Sequence, residues 1–246
     1  MEILKRNKQD DEKTLLDELA QKELSRRKFL RFSGLAGASA VLLGSSTLTA
    51  CNKDDDGQTE GVNLGSGDVG ILNYAYALEQ LEAAFYTQVM ATPYSGMTAL
   101  ESEYLKDIRD HEIAHREFFK AALGSNAIGG LDVNFTSINF GSRDSVLGTA
   151  KAFEDLGVAA YNGAGKLLVS TDYLTLAGKI VSVEARHAAL VRDLISNGSF
   201  SDLMSLAPLG ANNTNGLDGA LNPPDVLAIA STYVRTKINA SNLPTS

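Results

Sequence analysis

From about residue 69 onward, apolar residues recur every three or four positions, which is the period of a helix with one buried face. The pattern predicts an all-α chain with four long helices and a short fifth helix that begins at Asn222-Pro223. Residues 125–144, between the second and third helices, are rich in Gly, Asn and Ser and predict a long connection. The expected bounds of the long helices are about Asp68–Met90, Thr98–Gly124, Ser145–Val169 and Asp172–Gly198.

The third and fourth helices repeat the first and second, with offsets of 75 and 72 residues. On a seven-residue frame, the stripe of the first helix is Leu72, Ala75, Glu79, Glu82 and Tyr86, and that of the third is Leu147, Ala150, Glu154, Gly157 and Tyr161. The second helix has Ile108, Glu112, His115, Phe119 and Ala122, and the fourth has Ile180, Glu184, His187, Val191 and Leu194. Each stripe is the face that a bundle helix turns inward, yet ionisable groups lie in its middle.

Carboxylates on an inward face are costly to bury, and four that converge also repel one another. Two divalent cations would balance the four negative charges, and each Glu-x-x-His pair would add one imidazole ligand, because residues three apart share a helix face. His and carboxylate ligands suit iron and manganese. The predicted metal ligands are Glu79, Glu112, His115, Glu154, Glu184 and His187.

The segments 78–86 (LEQLEAAFY) and 183–187 (VEARH) resemble the ferritin-like family of di-metal carboxylate bundles, within its desiccation-related subgroup, over about residues 68–200. The resemblance implies a four-helix bundle in which a long crossover joins helices two and three, and a cofactor of two iron ions, or manganese. Two other interpretations stay open: a plain bundle with a wet polar seam, and a bundle that has lost its ions.

Four further residues near the predicted ligands have less specific expectations. Glu82 is expected to accept hydrogen bonds beside the ligands or to face solvent at the bundle edge, with a role as ligand left open. His111 is expected at the surface. Tyr86 and Tyr161 follow their glutamates by two turns, and we favour a packing role over a hydrogen bond to a ligand.

The first fifty residues are typical of an export signal. Arg26-Arg27 precedes a weakly apolar stretch over residues 32–50, and residues 48–51 (LTAC) resemble a bacterial lipobox. The alternative is a basic amphipathic N-terminus with a chance cysteine. We therefore expect an outer-membrane lipoprotein, periplasmic or surface-exposed, that is anchored to the membrane through lipidated Cys51. The expected domains are a signal (1–50), a flexible acidic linker (51–67), the bundle (68–200) and a C-terminal extension (201–246).

Composition narrows the function further. The 246-residue chain has a net charge of −8, which disfavours nucleic acid as a partner, and its acidic linker disfavours a DNA-protecting miniferritin. A single cysteine excludes a Cys-ligated iron of the rubrerythrin type, and a lipid anchor disfavours a storage cage. The expected activity is reaction with dioxygen or peroxide, as a ferroxidase or a peroxide-detoxifying enzyme with an unidentified electron donor. The alternative is a non-catalytic, envelope-tethered stress or desiccation-related module.

Overall fold

The computed structural model describes residues 61–245, and the predicted signal segment and Cys51 lie outside them. The short strand β1 (Val62–Asn63) pairs in parallel with β2 (Ile238–Asn239), near the end of the chain. The helices in chain order are α1 (Gly67–Ala91), α2 (Ala99–Leu123), α3 (Arg143–Gly165), α4 (Thr171–Ile195) and α5 (Pro223–Ala230). Helix α1 packs mainly on α2, and α3 mainly on α4, which confirms the all-α bundle and its short C-terminal helix.

Helices α2 and α3 run in the same direction. Arg143, at the start of α3, donates to the carboxylate of Glu101 at the start of α2 (2.7 Å) and to the carbonyl of Leu194 at the end of α4 (2.7 Å). The connection over residues 124–142 must therefore cross the length of the bundle, as predicted. Helix α1 holds it in place: the Asn73 amide donates to the Asn126 carbonyl (2.9 Å), and the Gln80 side chain accepts from the Leu131 amide (2.9 Å).

Helix α3 ends at Gly165, earlier than the predicted Val169. The chain leaves the helix because Ser170 caps α4, and because the Asp68 carboxylate accepts hydrogen bonds from the amides of Val169 (2.7 Å) and Ser170 (2.9 Å). The last residues of the predicted linker also differ from expectation. Residues 62 and 63 form β1, and Leu64 is fully buried in the core.

The C-terminal extension packs along α3 and α4. Short 3₁₀ helices at Ser199–Ser201 and Met204–Leu209 lie between α4 and α5. The Leu221 amide then donates to the Ala159 carbonyl of α3 (3.0 Å), and a Cβ at Gly163 would lie 1.7 Å from the Leu221 carbonyl oxygen. Glycine at 163 is therefore required for the extension to approach α3. Within residues 61–245, no helix is both long and apolar enough to cross a bilayer.

Glu101 stabilises the end of the bundle where α2 begins. Burial alone would raise the pKa of Glu101, but the backbone N–H of Thr98 and the guanidinium of Arg143 lower it to about 2. The ionised carboxylate is thus the form that stabilises the fold. We expect Glu101→Gln to lower the free energy of unfolding at pH 7, and the deficit relative to wild type to shrink as pH falls from 4.5 towards about 2.

Urea denaturation across this pH range measures the effect, with Glu103→Gln as the control at an exposed position of the same helix turn. A deficit that stays constant from pH 7 to pH 2 would contradict the assigned role of the charge.

Candidate metal centre

The structure brings together all six residues that the sequence predicts as ligands, at the centre of the bundle. Each of the four long helices contributes one glutamate, and these four carboxylates have 0% exposure. The two histidines follow their glutamates by one helical turn on α2 and α4, and the His115 side chain keeps only 13% of its surface exposed. The four buried glutamates are Glu79, Glu112, Glu154 and Glu184.

The six side chains form two overlapping groups, which we name by their histidines. In the His115 set, His115 Nδ1 faces Glu184 Oε1 at 2.9 Å, Glu79 Oε2 at 3.5 Å and Glu112 Oε2 at 3.6 Å. In each set, one ligand atom from each of four residues lies within 4.8 Å of the others. Such a group is compact enough to surround one cation.

The His187 set has the same arrangement. His187 Nδ1 faces Glu112 Oε1 at 2.8 Å, Glu154 Oε2 at 3.4 Å and Glu184 Oε2 at 3.5 Å. Glu112 and Glu184 therefore belong to both sets, and each directs one carboxylate oxygen to each set. Two carboxylates placed in this way could bridge a pair of cations, with Glu79 and Glu154 each confined to one set.

The hydrogen bonding of these residues is incomplete in a pattern that fits two metal ions. Eight of their buried nitrogen and oxygen atoms make no hydrogen bond of acceptable geometry, although buried polar atoms in proteins nearly always have a partner. These eight atoms are the two imidazole Nδ1 atoms and six carboxylate oxygens, and they divide into four atoms for each set. The residues present therefore fit a di-metal centre. A core that served only for packing would contain apolar side chains at these positions.

Two tyrosines account for the remaining carboxylate oxygens. The Tyr86 hydroxyl on α1 donates to Glu154 Oε1 on α3, and the Tyr161 hydroxyl on α3 donates to Glu79 Oε1 on α1. Each tyrosine thus binds the glutamate of the opposite helix, because α1 and α3 run in opposite directions. The packing role that we favoured from the sequence is incomplete: both rings are buried, but both hydroxyls also orient a candidate ligand.

Protons take the place of cations when no metal is bound. Burial would lower the pKa values of His115 and His187, but the facing carboxylates raise both to about 12. Burial raises the pKa of Glu154 to about 8, and burial together with the Glu184 and Glu112 charges raises the pKa of Glu79 well above its usual value. Burial opposes ionisation of Glu112 as well, but the two imidazoliums lower its pKa to about 2.

Comparison with known protein families agrees with this geometry. The family model described as "Ferritin-like domain" matches residues 67–197, which is more than half of the chain. The chain belongs to the ferritin-like domain family. The match spans α1 to α4 and includes all six candidate ligands, and it stops before the C-terminal extension. A search of curated proteins gives no match.

In this ferritin-like domain, His111 is tied to the centre in a way that sequence reasoning missed. It is exposed, as expected, but its Nδ1 lies 2.9 Å from His187 Nε2, and the two rings are stacked at 5.1 Å. If His187 Nδ1 binds a cation, its Nε2 carries the proton and donates to His111. The internal repeat does not predict this contact, since the residue on α4 that is equivalent to His111 is Val183.

Glu82 is buried with 4% exposure, so the expectation that it faces solvent is wrong. It belongs to neither ligand set. A Cβ at residue 157 would lie 3.2 Å from Glu82 Oε1, so the Glu82 carboxylate lies against the glycine that stands at the equivalent position of α3. Burial, followed by the charges of Glu112 and Glu184, raises the pKa of Glu82 well above its usual value.

Metal binding should release protons. At pH 7 the raised pKa values of His115, His187 and Glu154 favour their protonated forms in the metal-free protein, and burial shifts Glu79 in the same direction, so bound cations would displace protons. The affinity for Mn²⁺ should therefore increase with pH. Calorimetric titration in buffers of different ionisation enthalpy measures the protons released. A pH-independent affinity would contradict this charge balance.

His111 should matter for one ion only. We expect His111→Ala to weaken the binding of one Mn²⁺, the one held by the His187 set, by roughly 10- to 100-fold, the usual cost of removing a residue that orients a ligand, while the other binds as in wild type. His111→Gln keeps a hydrogen-bond acceptor and should restore much of the affinity. Stepwise competition with a chelator resolves the two constants. Equal weakening of both ions, or no rescue by Gln, would show that His111 does not orient His187.

Proposed function

We propose that this protein is a di-metal oxidoreductase, in which two iron or manganese ions held by the His115 set and the His187 set react with dioxygen or peroxide. The observation that carries the proposal is the division of eight buried ligand atoms, none with a hydrogen bond of acceptable geometry, into two groups of four. A bundle that used these residues only for packing would have no reason to bury them with such incomplete hydrogen bonding, because each polar atom without a good hydrogen bond costs stability.

The bound ions would supply the electrons and the open coordination positions for reduction of the oxidant. The chain's contribution is geometry and charge. Glu112 and Glu184 would hold both ions, since each carboxylate directs one oxygen to each set. The residues of each set would offer four ligand atoms, fewer than iron or manganese usually bind, so an oxidant could also bind.

The tyrosines and the surrounding apolar residues keep the centre rigid and dry. Tyr86 and Tyr161 fix the orientation of Glu154 and Glu79, so that each presents one oxygen inward. Buried apolar side chains lie one turn from the ligands on α2 and α4, and they limit the entry of bulk water. These residues are Ile108, Phe119, Ile180 and Val191.

We also propose that the protein acts at the cell envelope. The paired residues Arg26-Arg27 and the lipobox-like LTAC ending at Cys51 support export and lipidation, and they lie outside the described residues. The substrate would then be ferrous iron or peroxide met outside the cytoplasm. The resemblance to desiccation-related proteins supports a stress-related role at that location, for an enzyme or for a non-catalytic module.

A metal-independent module is the second candidate, and one observation favours it. The imidazoliums of His115 and His187 already offset much of the buried negative charge, and burial raises the pKa of Glu79 and of Glu154, which favours their neutral forms. The bundle therefore has a way to fold without cations, and a tethered structural role would need nothing more.

Elemental analysis of the purified chain, combined with an assay of ferrous oxidation and peroxide consumption, separates the two candidates. We expect about two iron or manganese ions per chain, one for each set. Glu112→Gln should lose both ions and the activity, because Glu112 contributes an oxygen to each set. Glu82→Gln, which alters a buried glutamate outside both sets, is the matched control and should retain both ions.

Two results would overturn the oxidoreductase. One is a chain with well below one ion whose thermal stability does not change on chelation, which is the expectation for the module. The other is a Glu112→Gln variant that keeps two ions and full activity, because the bridging geometry would then be irrelevant to binding.

A further inference from the structure

An apolar cavity of about 30 Å³ lies between the candidate centre and one end of the bundle. Side chains from all four long helices line it, at the end where α1 and α4 begin and α2 and α3 finish. Nearly all of its wall is apolar. The cavity extends from buried residues such as Ala160 to the half-buried Ala122 and Ala177, so it reaches outward between α2 and α4.

The cavity adjoins the His115 set and not the His187 set. The Tyr161 ring forms part of the wall, and the hydroxyl of the same side chain donates to Glu79. Two other wall residues, Phe119 and Ile180, stand one helical turn from His115 and Glu184 on the side away from the His187 set. The residues one turn beyond His187 on α4 take no part in the wall. A molecule in the cavity would therefore reach one ion of the pair first.

Polarity selects the occupant. A site that holds one water needs only roughly 10–15 Å³, so this cavity has room for a small molecule such as dioxygen. Hydrogen peroxide and water would each give up hydrogen bonds on entering an apolar site, whereas dioxygen makes none.

We propose that this cavity is a dioxygen site that supplies the ion of the His115 set. The inference rests on the proposed function and selects between its two oxidants. Two ferrous ions would give two electrons to one dioxygen, which with two protons becomes hydrogen peroxide, leaving two ferric ions. The cavity concentrates the apolar reactant beside the centre, and the protons come from solvent.

Xenon binding tests the cavity without any metal. Xenon is an apolar probe that occupies dry cavities of this kind. In the metal-free full chain, we expect xenon to shift the methyl resonances of Ala122, Ala160 and Ala177. Ala177→Leu and Ala122→Leu add three carbons to two different walls and should each abolish the shifts. Ala121→Leu, at the neighbouring exposed position outside the wall, is the matched control and should leave them unchanged.

The choice of oxidant is tested with iron-loaded protein. We expect Ala177→Leu to slow ferrous oxidation by dioxygen roughly tenfold or more and to leave oxidation by peroxide within about twofold of wild type, with Ala122→Leu as an independent second variant. Thermal unfolding confirms that each variant is folded, and both positions are half-buried and tolerate added volume better than the core.

The outcomes separate the cavity from the function. If wild type shows no xenon shifts, or if both oxidants slow equally in Ala177→Leu and Ala122→Leu, the dioxygen site is wrong while a di-metal oxidoreductase still stands. If xenon binds but iron-loaded wild type reacts with neither oxidant, the proposed function fails, and the cavity is overturned as a substrate site with it.

Discussion

Four carboxylates with no exposure at the centre of one helical bundle are the constraint on which the rest of this structure depends. Their mutual repulsion and lost hydration would destabilise the fold unless a cation, a proton or a hydrogen-bond donor contacts every oxygen. Tyr86 and Tyr161 meet two of the eight carboxylate oxygens, and the other six point at the two sites where His115 and His187 converge. The duplicated helix pairs and the crossover place these charges around the His115 set and the His187 set. The two tyrosines, each bound to the glutamate of the opposite helix, fix the orientation of two of the carboxylates.

The approximate two-fold repeat is broken in ways that make the two sites unequal. In the His187 set, His187 contacts the exposed ring of His111. The equivalent of His111 on α4 is Val183, which has no imidazole to offer to His115. The His115 set has the apolar cavity beyond Tyr161. An apolar reactant would thus approach the His115 set, while the His187 set is coupled to a solvent-exposed side chain. Duplication supplies the geometry of the two sets, and the departures from it give each set a separate environment.

Much of the fold and the whole ligand set could be predicted because both are local patterns repeated along the chain. The helical period alone predicts that Glu112 and His115 share a helix face, and it predicts the same for the copy at 184–187. The composition of residues 125–144 predicts the long connection. The partner of each tyrosine could not be read in this way, since the register between α1 and α3 depends on packing. The contact of His111 with His187 could not be predicted for the same reason: a residue one position off the inward stripe still reaches a ring on another helix. Residues 62–64 are assigned to the flexible linker from its composition. The strand that pairs with β1 lies near the other end of the chain, so no local pattern indicates the pairing.

The C-terminal extension follows from the composition of α3. Between Phe153 and Ala164 this helix is apolar on nearly every side, and most of that run is buried, so a bundle of four helices alone would leave one apolar flank of α3 in water. The extension covers this flank with backbone as well as side chains, and Gly163 makes the close approach of Leu221 possible. A buried pair, Arg192 with Asp155, then joins α3 to α4, and the hydroxyl of Ser205 binds the same guanidinium from the extension (2.8 Å). Because Asp155 adjoins Glu154 in the chain, a segment outside the family match helps to fix the helix that carries one of the candidate ligands.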